Sequence, residues 1–185
     1  TAGTRWEWDG VRFEVLHPEA ADHDRPGIAM LRPNAVSCVL RVASSGGRAA
    51  LLTGDIGIDQ ELRLVIRQPE GLKAAVLLVP HHGSVSSSGL YFLKSVQPTW
   101  AIVQAGRHNR YGHPAPPVME RYADQGISVI RTNQCGAWHW RSADEAHWCA
   151  RHLRVRYWQL IEPVPLVADG PDIAKSVLND QPPPP

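Results

Sequence analysis

Long apolar segments, a surplus of one charge and a cysteine framework are all missing from this sequence of 185 residues. The longest clean apolar run, residues 74–79, is far shorter than the roughly 20 residues that a membrane-spanning helix needs. Lysine plus arginine number 19 against 18 acidic residues, so the net charge of +1 indicates no global polyelectrolyte partner. The three cysteines are odd in number, widely spaced and without a C-x-x-C pair, which argues against a disulfide scaffold and a structural zinc finger. Residues 1–10 carry acids and tryptophans where a secretory signal peptide would be apolar, so no such leader is expected there.

The composition nevertheless supports a folded core. Hydrophobic residues make up 43% and charged residues 20% of the chain, which excludes a largely disordered protein. The length favours one domain with room for a tail. After residue 162 the sequence turns to proline, aspartate and alanine, and it ends in four prolines. We therefore expect a domain over residues 1–162 and a disordered tail over residues 163–185.

Two hairpins open the predicted fold. Asp9-Gly10 lies between two alternating runs and predicts a turn that joins strands over residues 5–8 and 11–16. A second turn, at residues 44–47, predicts a hairpin of strands over residues 36–42 and 48–53.

Helices and strands then alternate along the chain. Ile58, Leu62, Val65 and Ile66 lie at helical spacing and predict one apolar helix face. The other predicted elements are strands at 74–79, 100–103, 127–131, 137–141 and 153–160, a helix at 90–96 capped by one of Ser86 to Ser88, and a helix at 116–125. This order predicts an α/β fold, in which a mixed sheet carries helices on at least one outer face.

Three polar stretches each follow a predicted strand, where a rigid sheet positions functional loops. The first is Thr53-Gly54-Asp55. A carboxylate at the end of a strand can bind a divalent metal ion. The alternative is that Asp55 caps the helix that begins near Ile58.

The second stretch is Pro80-His81-His82-Gly83-Ser84. Neutral imidazole is the commonest protein ligand for zinc and related metals. Because adjacent side chains on extended backbone diverge, we expect one of His81 and His82 to bind the metal and the other to orient it or a substrate. The alternative is a pair of hydrogen-bonded loop histidines.

The third stretch, residues 106–114, is rich in side chains that hold phosphate oxygens. These candidates are Arg107, Asn109, Arg110, Tyr111 and His113. The alternative is a solvated basic loop.

A mixture of basic and aromatic residues follows over residues 131–160. This stretch contains five arginines and only two acidic residues, Asp144 and Glu145. Trp148, Tyr157 and Trp158 are interleaved with the arginines. Such a surface can stack bases and neutralise phosphates, and ordinary packing with solvated charges is the alternative.

Taken in order, these stretches resemble the C-terminal metallo-β-lactamase-like domain of the ComEC family of DNA-uptake channel proteins. The similar segment runs from about Trp6 to Arg141. It comprises residues 8–11, 16–18, 34–40, 51–55, 79–84, 109–114 and 132–137. The resemblance implies an αββα sandwich with one or two metal ions and hydrolytic, nucleolytic activity on incoming DNA.

Residue by residue, the resemblance implies that Asp55 is an acidic ligand able to bridge two ions and that the His81-His82 pair supplies a late histidine ligand. Asp55 and His82 are then the expected catalytic residues, and Zn²⁺ or Mn²⁺ the expected metal. Bound metal would lower the pKa of water and polarise the phosphoryl group. Ser84 and the loop containing His113 are the expected substrate-binding residues.

The sequence departs from the family pattern in one respect that changes the metal binding we expect. The principal metal motif, His-x-His-x-Asp-His or a close relative, is absent from this sequence, so the chain resembles only the second half of the domain. We therefore expect weak metal binding, because catalytic zinc takes three protein ligands. We also expect residues 74–79 and 100–103 to expose an apolar face.

The expected function is that of a metal-dependent phosphodiesterase domain in DNA uptake across the inner membrane. Its expected partners are single-stranded DNA and the transmembrane channel part of the same parent protein, with no small organic cofactor. An alternative is a catalytically incomplete module that binds nucleic acid or serves as a scaffold, and another is a metallohydrolase for small substrates. The resemblance favours the periplasmic face, whereas unpaired cysteines point weakly to a reducing compartment.

Overall fold

One mixed sheet organises the computed structural model, which describes residues 1–23 and 33–153. The predicted tail, most of the predicted strand at 153–160 and the aromatic residues Tyr157 and Trp158 lie outside these ranges. The seven strands are β1 (Arg5–Trp8), β2 (Val11–His17), β3 (Val39–Ala43), β4 (Ala49–Leu52), β5 (Val76–Leu78), β6 (Trp100–Val103) and β7 (Ser128–Arg131). They lie in chain order, antiparallel from β1 to β4 and parallel from β4 to β7.

Helices alternate with the parallel strands, as the α/β prediction requires. The helices are α1 (Ala20–His23), α2 (Ile58–Arg67), α3 (Leu90–Val96), α4 (Pro116–Asp124), α5 (Thr132–Cys135) and α6 (Ala150–Leu153). Single 3-10 turns occupy Pro33–Val36, Pro69–Leu72 and Pro80–Gly83. A separate two-stranded antiparallel sheet consists of β8 (Trp138–Trp140) and β9 (His147–Cys149). The predicted mixed sheet with outer helices is confirmed.

Three local predictions are wrong. The strand predicted over residues 36–42 begins only at Val39, because Pro33–Val36 forms a 3-10 turn. The buried face of α2 is formed by Glu61 and Leu64, whereas Leu62 is 38% and Ile66 is 81% exposed. No serine caps α3, whose capping position is Gly89.

The two faces of the sheet differ in how well they are covered. On the face that we call the helix face, Val39, Leu51, Leu77, Ala101 and Val103 are fully buried. They join Leu64, Phe92, Val118 and Tyr122 of α2 to α4 in one core. Side chains alternate between faces along a strand, so the neighbouring residues point to the opposite face.

That opposite side, which we call the open face, is apolar but only partly covered. Its residues on β1 to β4 are half-buried or exposed: Trp6, Trp8, Phe13, Val15, Leu40, Val42 and Leu52. The predicted exposure of residues 74–79 and 100–103 is wrong, because Val76 and Ile102 are only 5% and 7% exposed. The β8–β9 sheet covers this end, with the ring of His147 4.2 Å from that of Trp100.

Two of the three cysteines are joined. A disulfide links Cys135 of α5 to Cys149 of β9, and Cys38 is free. The interpretation of the cysteines as unpaired is therefore wrong for Cys135 and Cys149. In the described part of the chain, no helix has the length and apolar character that a bilayer span requires.

Candidate functional site

The parallel order of β4, β5 and β6 brings the three predicted loops to one edge of the sheet. All three strands point the same way and are direct neighbours. Each loop follows the carboxyl end of its strand, which is where ligands bind in open α/β sheets. The predicted site residues therefore start from adjacent strand ends.

Asp55 is placed by a short, tightly held turn. The buried hydroxyl of Thr53 donates to the carbonyl of Leu78 and ties the ends of β4 and β5 together, at 2.7 Å. Gly54 follows with a φ of +54°, a left-handed conformation that glycine adopts without strain. The backbone N–H of Asp55 donates to the hydroxyl of Ser37, at 3.1 Å. The carboxylate is left 39% exposed and available to a ligand.

The two histidines occupy an unusual turn. His81 and His82 have φ values of +49° and +55°, which L-residues adopt rarely and at a cost. The N–H of His81 donates to the carbonyl of Gly54, at 3.0 Å, and so ties this turn to the Asp55 loop. Gly83 must be glycine, because a Cβ there would lie 2.7 Å from that of Pro114.

His82 faces Asp55 with a defined tautomer. Its Nδ1 lies 2.8 Å from the carbonyl oxygen of Gln104, and since a carbonyl only accepts, we assign the ring proton to Nδ1. In its neutral form the ring presents the lone pair of Nε2, which lies 3.4 Å from Oδ1 of Asp55. A lone pair and a carboxylate repel each other, so this geometry needs a proton or a cation between them.

Asn34 is a site residue that the sequence analysis missed. Its side-chain nitrogen lies 3.2 Å from Nε2 of His81. The buried ring of His17 contacts the carbonyl oxygen of Ala35, at 2.8 Å, and so fixes the turn that carries Asn34. An asparagine directly after a proline and before an apolar run was the available signal, since such residues commonly shape turns.

The third loop is closed by Asn109. Its side chain accepts from the N–H of His113, at 2.9 Å, and donates to the carbonyl of the same residue, at 2.7 Å. This closure places the ring of His113 6.1 Å from that of His81. Nδ1 of His113 is buried and has no hydrogen-bond partner in the described structure. Burial, and then the charges of His81 and His82, hold the pKa of His113 below its usual value.

The remaining predicted substrate-binding residues differ in position. Arg110 donates to the hydroxyl of Tyr111, at 2.7 Å, and both side chains are exposed beside His113. Arg107 is exposed on the same loop. Ser84 instead lies inside its loop, 8% exposed, with its hydroxyl 3.1 Å from that of Ser86.

Metal donors converge only in part. Asp55 and Nε2 of His82 face one another, but no group of three or more such side chains is arranged to hold a metal within residues 1–23 and 33–153. Two donors fit a divalent ion incompletely, because catalytic zinc takes three protein ligands.

Both acids of the basic and aromatic stretch form ion pairs in the structure. Arg141 donates twice to Asp144, which lowers the pKa of that carboxyl to about 2, and Arg48 pairs with Glu145. The rings of His139 and Trp148 stack at 5.1 Å on the exposed side of β8 and β9.

No protein-family model matches the chain, but curated proteins do. It is 40% identical over 136 residues to competence protein ComA of Neisseria gonorrhoeae. It is 38% identical over 131 residues to ComE operon protein 3 of Bacillus subtilis, and 37% identical over 136 residues to recombination protein 2 of Haemophilus influenzae. These matches cover 71–74% of this chain and 16–18% of the relatives, so the chain spans less than a fifth of their length.

Proposed function

Because this chain belongs to the ComEC family of competence proteins, we propose that it supplies part of a divalent-metal site in a parent protein that hydrolyses DNA phosphodiesters during uptake. The observation that carries this proposal is the 3.4 Å approach of His82 Nε2 to Asp55 Oδ1. The hydrogen bond from Nδ1 to Gln104 leaves Nε2 as an acceptor. A divalent cation between the two groups removes the repulsion between them.

The chemistry divides between the metal and the loops around it. A bound Zn²⁺ or Mn²⁺ would lower the pKa of a water ligand and polarise a phosphoryl group. Arg107, Arg110 and Tyr111 lie on the exposed loop beside His113 and are suited to hold phosphate oxygens. Burial favours the neutral form of the neighbouring His113, because it holds the pKa of that ring below its usual value.

The missing ligands are proposed to come from the rest of the parent protein. The chain spans less than a fifth of its relatives, and its described residues contribute two facing donors. We therefore expect weak metal binding by this chain alone. In the same proposal, the parent's transmembrane channel part and single-stranded DNA are the partners.

The Cys135–Cys149 disulfide is informative about the compartment in which this domain lies. Structural disulfides form and persist in oxidising compartments such as the periplasm and are rare in the cytosol. Cys135 and Cys149 are joined, so these two cysteines do not point to a reducing compartment. We place the domain, tethered through its parent, on the periplasmic face of the inner membrane.

A second candidate function is a module that binds nucleic acid without catalysing. It is favoured by the incomplete ligand set and by the exposed His139–Trp148 stack, on which a base can pack. The test is single-stranded DNA binding by a chain that binds no metal. Loss of that binding in Trp148→Ala, together with unchanged binding in Asp55→Ala, would favour this candidate.

Metal titration tests the first proposal. The full chain is titrated with MnCl₂ or ZnCl₂ by isothermal calorimetry, and Asp55→Ala is expected to weaken binding at least about tenfold. Asp59→Ala is the matched control, because Asp59 is an exposed acid at the start of α2. Stoichiometric metal that resists a chelator and is unchanged in Asp55→Ala would overturn the assignment.

A further inference from the structure

A buried carboxylate outside the candidate site holds the loop that follows the histidine turn. Glu61 of α2 is 1% exposed. Its Oε1 accepts from the N–H of Ser88, at 2.6 Å, and its Oε2 accepts from the N–H of Gly89, at 2.7 Å. Burying a carboxylate costs free energy unless it is hydrogen-bonded, and these two short bonds satisfy one acceptor site on each oxygen.

A second helix holds the same loop from its carbonyl side. Nη1 of Arg121, on α4, donates to the carbonyls of Ser87 and Ser88, at 2.9 and 2.6 Å. The hydroxyl of the buried Tyr122 lies 3.0 Å from that of Ser88. Ser88 itself has a φ of +59°, so these contacts hold a conformation that a serine rarely adopts. We call Glu61, Arg121 and Tyr122 the clamp.

Ser87 connects the clamp to the histidines. This residue is fully buried, and its hydroxyl contacts the carbonyls of Pro80 and Ser84, at 2.8 and 2.9 Å. Pro80 begins the turn that contains His81 and His82, and the N–H of Ser84 closes it by donating to the carbonyl of His81, at 2.9 Å. Hydrogen bonds to the consecutive residues Ser87, Ser88 and Gly89 therefore connect α2 and α4 to the histidine turn.

The turn needs such support. His81, His82 and Gly83 adopt positive φ values in succession, and strained backbone persists only where the surroundings over-determine it. Direct bonds to Gly54 and Gln104 hold the two histidines, and the N–H of Ala115 donates to the carbonyl of Gly83, at 2.9 Å. The start of the turn, at the carbonyl of Pro80, is held by Ser87.

We propose that Glu61 and Arg121 are positioning residues that hold His81 and His82, through Ser87, in the arrangement that aims His82 at Asp55. The role matters to catalysis only if the proposed metal site is correct, but the geometry itself exists without metal. The donors are then set before an ion arrives, and binding does not have to order the turn.

Hydrogen exchange in the metal-free full chain tests this. Glu61→Gln keeps the side-chain shape but replaces one acceptor oxygen by a donor, and Ser87→Ala removes only the connection. Both are expected to speed exchange of the His81 and Ser84 amides by about tenfold or more. The amide of Val79, which donates to Ile102 within the sheet, should change little. The Nδ1–H tautomer of His82, read from ring ¹⁵N shifts, should lose population.

Two controls match these variants. Glu120→Gln makes the same chemical change at an exposed residue beside Arg121, and Ser86→Ala removes an exposed neighbouring hydroxyl that contacts only Ser84 among the described residues. Neither should alter exchange at His81. If Glu61→Gln fails to fold, Ser87→Ala decides the question.

Unchanged exchange at His81 and an unchanged His82 tautomer in Ser87→Ala would overturn the proposal. Equal acceleration at His81 and Val79 would also overturn it, because the clamp would then stabilise the fold as a whole and not the turn. The measurement uses no metal, so its failure leaves the metal proposal standing. Failure of the metal titration likewise leaves the clamp standing.

Discussion

The two faces of the seven-stranded sheet come from the same strands but have very different cover. Leu51 and Leu77 on the helix face are fully buried beneath α2 to α4, whereas Leu52, the next residue after Leu51, is 37% exposed on the open face. Both faces are apolar, and an apolar face in water is a cost that folded domains normally remove by packing. The apolar residues of the open face are therefore suited to pack against another surface.

The exposed apolar residues of the open face and the incomplete ligand set of the proposed metal site can be explained together. An αββα sandwich, as the family resemblance implies, would pack a second sheet on the open face. The chain spans less than a fifth of its relatives, and those relatives have sequence enough to supply such a sheet together with further metal ligands. If a parent protein contributes such a sheet, one segment would account both for the exposed apolar face and for the lack of a third donor beside Asp55 and His82 among the described residues.

Leucine truncation on each face should give the largest contrast. Leu77→Ala is expected to lower the free energy of unfolding by about 2–5 kcal/mol, because it leaves a cavity in the core. Leu52→Ala is expected to cost under about 1 kcal/mol, because this side chain already meets solvent. Urea unfolding measures both. Equal losses would contradict the assignment of the open face as uncovered.

The free energy of unfolding should also depend on pH through a residue on the helix face, Glu61 of α2. Burial raises the pKa of Glu61 from 4.5 to about 7, and the hydrogen bonds from Gly89 and Ser88 and the charge of Arg121 offset this only in part. The folded state thus holds this proton more tightly than the unfolded chain does. The stability contributed by Glu61 is therefore fully present below pH 4.5 and is lost as the pH rises through about 7.

Glu61→Gln should remove this dependence. Relative to that variant, the wild type is expected to lose up to about 3 kcal/mol of unfolding free energy between pH 4.5 and pH 8. Urea unfolding across this range measures the difference, and Glu120→Gln serves as the exposed control. Parallel pH curves for the wild type and Glu61→Gln would show that Glu61 titrates normally.

The elements that the sequence predicts well depend on local chemistry. Asp9-Gly10 forms the expected hairpin turn, and residues 100–103 form a strand with the expected ends. The meeting of Asp55 with His82 also follows from strand order, since parallel neighbours bring their loops to one edge. From the sequence, however, the pairing of these two residues was expected only through the family resemblance.

What the sequence could not predict depends on distant partners. Glu61 interrupts an apolar pattern, yet it is buried because Ser88 and Gly89, 27 and 28 residues away, supply donors. Leu62 and Ile66 fit the helical period and are nevertheless exposed. The Cys135–Cys149 bond likewise arises from the approach of α5 to β9, which no spacing rule specifies. Only tertiary structure brings such groups together.

Substitutions on the open face are expected to have the smallest effect on the free energy of unfolding but a clear effect on self-association. The isolated chain is expected to self-associate through the open face, where Trp6 and Trp8 of β1 are 44% and 76% exposed and Leu52 of β4 is 37% exposed. Leu52→Glu and Trp8→Glu should shift it toward monomer, because a charge cannot be buried unpaired in an apolar contact. Neither should change the unfolding free energy by more than about 1 kcal/mol, as expected for surface substitutions.

Ile66→Glu provides the matched control for this experiment, because Ile66 is 81% exposed on α2 and lies on no strand of the open face. Sedimentation velocity over a range of concentrations measures the association. If Ile66→Glu dissolves the oligomer as well as Trp8→Glu does, general hydrophobicity and not the open face drives association. If the wild type is monomeric at all concentrations, the open face does not need a cover, and its exposed apolar residues do not support a second sheet that arrives together with the remaining ligands.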